Sequence, residues 1–296
     1  MDRMLSLIAP AGTHLVVMLL LFAGVARADF LPEPGGRLLA TGGVTQIEGA
    51  AGGGLVPWAL IAGYGTRDQV GLTVYYTAAD PTDFRLRAAG LSIGIHDRFE
   101  LSVAQQRFGL GSTVPGEFIN QDLIGLKVRL LGDAVFDQDR WWPQVAAGLM
   151  YKRNGDMSVP RLLGAKRESD TDFYIAATKL YLAGLFGRNV LLNLTLRGTR
   201  ANQLGLLGFG GDKNDDYQVM GEVSAGVFLH DRVLLGTEYR QKPDNLSAFR
   251  EQDFYDVFVA FLPTKRASIT AAYVQLGQIA DKQDQDALYL SLQLSF

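Results

Sequence analysis

The side chains best placed for chemistry are charges set at even spacing on patterned runs. Lys127, Arg129, Arg197 and Arg240 lie on the polar side of runs whose other side is aliphatic, and Arg85 and Arg87 lie on a further run. Glu222, Glu238 and Asp256 place carboxylates on consecutive later runs. In an extended chain, residues two apart share a face. If such a face lines a lumen, its charges form rings that set ion selectivity and order a path of water. The same groups can also pair with one another and fill the interior. A basic early wall opposite an acidic late wall would add a field across the lumen.

A second group is the loop at 154–171, where Arg161, Lys166 and Arg167 follow Lys152 and Arg153. Its charge suits contact with anionic lipid headgroups, although an ordinary solvated loop explains it somewhat better. Gly90-Leu91-Ser92-Ile93-Gly94 has the glycine and serine spacing of a nucleophile elbow, but that elbow needs a strand–turn–helix setting and a late histidine. Here the match sits within an alternating run, so no catalytic residue and no enzymatic activity are expected. The only histidines are His14, His96 and His230, and the last two fall in short predicted turns beside Asp and Arg. Asp212-Lys213-Asn214-Asp215-Asp216 opens like a calcium loop but has Tyr217 at the sixth place and Val223 at the twelfth, where glycine and glutamate are required. Neither a metal nor another cofactor is expected.

The elements that must hold these groups are strands. Leu288, Leu290, Leu292, Leu294 and Phe296 form one face of the final run, opposite Ala287, Ser291, Gln293 and Ser295. An apolar last strand ending in phenylalanine resembles the signal by which outer-membrane barrels are recognised for insertion and then close on their first strand. Period-two alternation recurs at Ile124, Leu126, Val128 and Leu130, at Leu192, Leu194 and Leu196, and at Val219, Val223 and Val227. Runs at 37–48, 55–64, 69–77, 84–95, 99–108, 121–131, 142–153, 172–186, 190–200, 217–229, 233–241, 254–263, 267–276 and 286–296 predict about fourteen strands. Twelve is the alternative if the glycine-rich stretch 37–54 folds inward as a plug and one further weak run is not a strand. The fold class is thus an all-β transmembrane up-and-down barrel over 37–296.

Connections alternate between short and long, as periplasmic turns and external loops do, with 132–141 a long exception. His-Asp-Arg at 96–98 and again at 230–232 suggests a repeated hairpin. Tyr76, Phe84, Phe108, Tyr151, Phe173, Tyr217, Tyr239, Tyr255 and Tyr273 fall toward the long-loop end. Phe99, Trp142, Phe186, Phe228 and Phe261 fall toward the other, the two-belt pattern of a membrane barrel.

Residues 1–28 read as an export signal, with Arg3, an apolar core from Leu15 to Val25, and Ala26-Arg27-Ala28 before the cut. Residues 29–36, with two prolines, read as a periplasmic linker. Losing Asp2, Arg3 and Arg27 removes two positive charges and one negative, taking the formal charge from −3 to −4. That balance, with no basic run, excludes nucleic acid as a partner. The chain has 34 glycines, 48% hydrophobic residues and no cysteine, so neither disulfides nor thiolate metal sites are available.

The block from Arg37 to Trp58, Arg-Leu-Leu-Ala-Thr-Gly-Gly-Val-Thr-Gln-Ile-Glu-Gly-Ala-Ala-Gly-Gly-Gly-Leu-Val-Pro-Trp, resembles the opening of an uncharacterised family of Gram-negative exported proteins, DUF 3034. The resemblance extends through the His-Asp-Arg turns to Phe296. It implies an outer-membrane placement and brings no activity or site residues. The expected function is a channel or facilitator for small solutes. The alternative is a non-conducting barrel whose external loops bind lipopolysaccharide or a partner. Expected partners are outer-membrane lipid, lipopolysaccharide, the assembly machinery during insertion, and a small-molecule cargo.

Overall fold

A strand in hydrocarbon must pair its backbone groups along both edges, which an open sheet cannot do. The structure, a computed structural model describing residues 34–296, meets this demand with a closed ring of twelve antiparallel strands. A two-residue ladder comes first, β1 (Val44–Thr45) with β2 (Ala51–Gly52). The wall then runs β3 (Val70–Pro81), β4 (Arg85–Ile95), β5 (Phe99–Gly109), β6 (Phe118–Leu131), β7 (Gln144–Asn154) and β8 (Ser169–Leu185). It continues as β9 (Arg188–Thr199), β10 (Gln218–His230), β11 (Val233–Arg240), β12 (Phe254–Thr264), β13 (Ala267–Ile279) and β14 (Lys282–Ser295). Each strand pairs with its sequence neighbours, and β14 closes on β3 from Ala287↔Pro81 to Ser295↔Thr73. Phe296 completes the seam, exchanging backbone hydrogen bonds of 2.8 and 2.9 Å with Leu72.

Twelve strands, the alternative count, replace the fourteen read first, because the predicted strands at 37–48 and 55–64 are not in the wall. Residues 37–64 instead lie inside the ring, and the plug is longer than the 37–54 envisaged. Pro57 and the glycines of this stretch are poor ladder residues. Its apolar side chains are buried against the inner wall, Val56, Ile61 and Trp58 among them. The expected signal at 1–28 and most of the linker at 29–36 fall outside the described residues.

The two faces of the wall divide as the alternation requires. Leu101, Val103, Ile124, Leu194, Leu196, Val257 and Val259 point outward and are exposed. Ser102, Lys127, Thr195, Arg197, Glu222 and Ser224 point inward and are buried under the plug. On β14, Leu288 is 73% exposed while Tyr289, Ser291, Gln293 and Ser295 face in. An outward apolar band around an inward polar wall is what hydrocarbon outside and water inside select. Arginine in place of Leu194, midway along β9 on that band, is therefore expected to cost roughly 2–4 kcal/mol. A urea unfolding midpoint in vesicles measures it, and an unchanged midpoint would contradict the lipid-facing assignment.

The ends are less regular than the sequence suggests. His96 and Asp97 both take positive φ, 55° and 49°, as a tight hairpin turn demands, whereas the second His-Asp-Arg turn is built around a bulge between Phe228 and His230. The echo thus marks two short turns of different backbone, half the circumference apart, so His96 and His230 do not meet. Connection 132–143 remains long. Strand β8 runs past its inward-facing stretch from Tyr181 to Leu185, where every residue is exposed and the alternation stops. Phe99, Trp142, Phe186 and Phe261 are exposed near the short-turn end, and Tyr151, Phe173, Tyr217, Tyr255 and Tyr273 are exposed near the long-loop end. Phe84 and Phe108 depart from this belt, as they turn inward and stack with centroids 5.2 Å apart. Phe228 also faces in, packed against the plug side.

Candidate functional site

The lumen is the site, and ionic groups on several strands hold the plug in it. Glu48, on the turn between β1 and β2, projects to the far wall. Its carboxylate accepts from Arg240 Nη1 on β11 at 2.7 Å and pairs with Lys152 on β7. Arg197 on β9 lies 3.9 Å away. The same cations serve wall carboxylates. Lys152 Nζ is 2.7 Å from Asp172, Arg197 Nη1 is 3.3 Å from Asp172, and Glu222 accepts from the Arg197 guanidinium with Arg240 Nε at 3.4 Å. Three cations therefore face three carboxylates, and each side chain is at most 4% exposed. One of the three carboxylates comes from the plug. Buried charges are tolerated only when paired in this way.

A second pair grips the plug backbone. Glu100 on β5 accepts from Ala51 N at 3.1 Å and Ala62 N at 2.8 Å, while Lys127 Nζ on β6 donates to Ala51 O at 2.9 Å and Leu60 O at 2.8 Å. Lys127 and Glu100 are themselves 3.1 Å apart. On the opposite side Glu238 accepts from Leu55 N and Ser224 Oγ, each at 2.7 Å, and Trp58 Nε1 donates to Ser224 Oγ at 2.9 Å. Neutral side chains complete the ring of contacts: Thr178 Oγ1 accepts from Ala59 N, Thr195 Oγ1 donates to Pro57 O, and Gln106 Nε2 donates to Ile47 O. Backbone groups left unpaired in the irregular plug thus find partners on the wall.

Two glycines mark where plug and wall come closest. A Cβ on Gly94 would sit 2.1 Å from Ala62 O, and one on Gly53 would sit 2.0 Å from Glu238 Oε1. Gly94 belongs to the Gly-x-Ser-x-Gly run, and its role here is to let the plug approach β4. Ser92 is mid-strand and fully buried.

The ends of the lumen are closed separately. At the short-turn mouth Arg37 pairs with Asp97 at 3.0 Å, and Arg129 bridges Asp97 and Asp133. At the long-loop end Leu204 and Leu206, from the loop between β9 and β10, dip inward over the plug. Lys152 Nζ donates to Leu204 O at 3.2 Å and Asn154 Nδ2 to Leu206 O at 2.7 Å. Together with Leu86, Phe108 and Phe254 these leucines line an apolar cavity of about 40 Å³. Lys242 and Glu251, buried in the next loop, pair at 3.0 Å; burial lowers the Lys242 ammonium and raises the Glu251 carboxyl.

Of the predicted lumen group, Lys127, Arg197, Glu222, Glu238 and Arg240 face inward as read, as does Asp256, and Arg129 guards the mouth. Arg85 and Arg87 do not; they point outward, because the apolar cap inside the long-loop end takes Leu86 and Ala88 instead. Lys152, grouped with the basic loop in the sequence, belongs to the lumen. The early wall is not simply basic nor the late wall simply acidic, since Lys127 pairs with Glu100 on one side and Arg197 and Arg240 pair with Glu222 on the other. Sequence reasoning missed Glu48, Glu100 and Asp172, although inward parity on β5 and β8 marks the last two.

The basic loop is tied down. A short helix, α1 (Ser158–Leu162), carries exposed Arg161, while Arg167 pairs with Asp215 and Lys166 lies 3.8 Å from the same carboxylate. The Arg167 hydrogen bond holds Asp215 below the usual carboxylate range. The calcium-like run is spent on neighbours in the same way, as Asp212 accepts from Ser247 and Lys213 pairs with Asp244.

This geometry defines a transmembrane β-barrel of the outer-membrane type, its lumen occupied by its own N-terminal plug. The chain belongs to the family described as protein of unknown function (DUF3034), whose model matches residues 41–293. No curated protein matches the sequence. Among solved structures it is similar to the KdgM porin, with 9% identity and a TM-score of 0.48 over 76% of this chain and 99% of that one. It is similar also to the NanC porin, with 7% identity and 0.48 over 75% and 98%. A third is the COG4313 outer membrane channel from Pseudomonas putida F1, with 11% identity and 0.41 over 81% and 97%. Likenesses at this level leave the function to be argued from the lumen itself.

Proposed function

We propose that this chain is a gated facilitator for small solutes across the outer membrane, at rest with its plug seated. The observation that carries this reading is the chemistry of the wall beneath the plug. Thr73, Thr77, Gln106, Gln121, Thr178, Asn193, Thr195, Ser224, Thr270 and Gln293 all face inward. A barrel filled only for stability would gain more from aliphatic side chains there, because buried polar groups contribute little net stability even when paired. A hydroxyl- and amide-lined wall is already suited to water once the plug leaves. No disulfide ties the plug to the wall, since the chain has no cysteine. The reading assigns no catalytic step to the chain. The rival reading, a non-conducting barrel that binds through its external loops, draws less support, because Lys166 and Arg167 are committed to Asp215.

Liposome swelling with sugars, amino acids and hydrophobic acids of graded size tests the proposal. A chain lacking residues 37–64 is expected to admit the smaller solutes with a sharp size cut-off, and the intact chain to admit them far more slowly. An inserted, heat-modifiable barrel that excludes even the smallest sugar without its plug would overturn it. Gly94→Val, which displaces the plug without deleting it, gives the same reading if the shortened chain does not fold.

A further inference from the structure

The two arginines that the wall turns outward are part of a larger arrangement. Arg87 on β4 stands directly across the ladder from Arg107 on β5, and Arg85 lies two residues along on the same face. Side chains so paired have Cβ atoms about 5 Å apart, and like charges in that position repel. Arg87 leans to Asp80 on β3. Arg107 lies over the Phe118 ring with its guanidinium carbon 3.9 Å from the centroid. Among the described residues, neither Arg85 nor Arg107 makes an ion pair within the chain. On the outward face of β6, Asp122 accepts from Gln105 and faces Arg153 across the ladder. On the outward positions of β3, β4 and β5, three guanidiniums stand against the single carboxylate of Asp80.

Its height on the wall gives the excess a meaning. Toward the barrel's middle the same outward face continues as Leu91, Val103, Leu101 and Ile124, all exposed, which is the apolar band. The arginines stand above it at the long-loop end, where hydrocarbon gives way to headgroups. Arg87 and Arg107 at that level have one carboxylate, Asp80, between them, and planar guanidiniums bind phosphate oxygens in bidentate fashion.

We propose that Arg85, Arg87 and Arg107 form a site on the outer wall for a phosphate of an outer-leaflet lipid, the phosphorylated glucosamine headgroup of lipid A. The site depends on the barrel's lying in the outer membrane and is independent of whether its lumen conducts. The acyl chains of the lipid lie along Leu91, Val103 and Ile124, and its phosphate bridges Arg87 and Arg107.

The test uses the full-length barrel in phosphatidylcholine nanodiscs titrated with lipid A, with bound lipid counted by native mass spectrometry. Arg85→Gln with Arg107→Gln is expected to weaken binding by roughly tenfold for each arginine removed. Arg107→Lys, which keeps charge but not the fork, is expected to fall between, and Arg161→Gln on the loop to leave binding unchanged. Heat-modifiable migration confirms that each variant is folded. Equal binding by the double glutamine variant and the wild type would overturn the proposal. So would full displacement of lipid A by equimolar inorganic phosphate, which would mean a general anion site rather than a lipid site.

Discussion

Glu48→Gln is expected to unseat the plug. Glu48 is one of three carboxylates balancing Lys152, Arg197 and Arg240, and without it one positive charge stays buried and uncompensated. Breaking a buried pair by removing one partner costs about 3–5 kcal/mol. The wall ladder does not involve Glu48, so the loss falls on the plug and the ring stays closed. Trp58, sealed against Ser224 in the resting state, reports the change. Its emission should shift to the red and bilayer conductance should rise. Adding Lys152→Gln restores neutrality and is expected to recover much of the loss, the non-additivity of two members of one network. Unchanged Trp58 emission in the single variant would show that the cluster is not what holds the plug.

Gly94→Val is expected to have a comparable effect by steric means. A Cβ at this position meets Ala62 O at 2.1 Å and Ile61 Cγ2 at 3.0 Å, so the plug backbone must retreat. Valine is at home in a strand, and the wall itself has no objection to it. Ala62 N would then lose its 2.8 Å bond to Glu100. The variant should migrate as a folded, heat-modifiable barrel and conduct steadily where the wild type is quiet. A folded variant as silent as the wild type would mean that the plug yields locally without opening a path.

Much of the wall was legible because both solvents imprint it. On β6 and β9 the aliphatic positions face lipid and the polar ones face in, so Lys127 and Arg197 could be placed by parity alone. Parity failed at the long-loop end of β4, where the lumen is capped by Leu204, Leu206 and Phe108 and is itself apolar. There the inward residue is Leu86, and Arg85 and Arg87 take the side exposed to headgroups. The stretch from Leu55 to Tyr64 looked like a strand because it is apolar throughout, but a plug buried on all sides carries the same composition. Pro57 and the crowded glycines were the signals against a ladder. Glu48 could not have been placed from its neighbours, since its partners lie on β7, β9 and β11, more than a hundred residues away.

The central claim is that residues 37–64 seal a lumen that otherwise carries water. Ala59 on the plug and Ala176 on β8 pack in one small buried cluster, and the chain contains no cysteine of its own. A chain carrying Ala59→Cys, Ala176→Cys and Glu48→Gln, oxidised during refolding and placed in planar bilayers, tests the claim in a single trace. The account predicts silence while the disulfide holds and discrete conductance steps once a reductant is added. Conductance that is the same before and after reduction, whether present or absent, would contradict it.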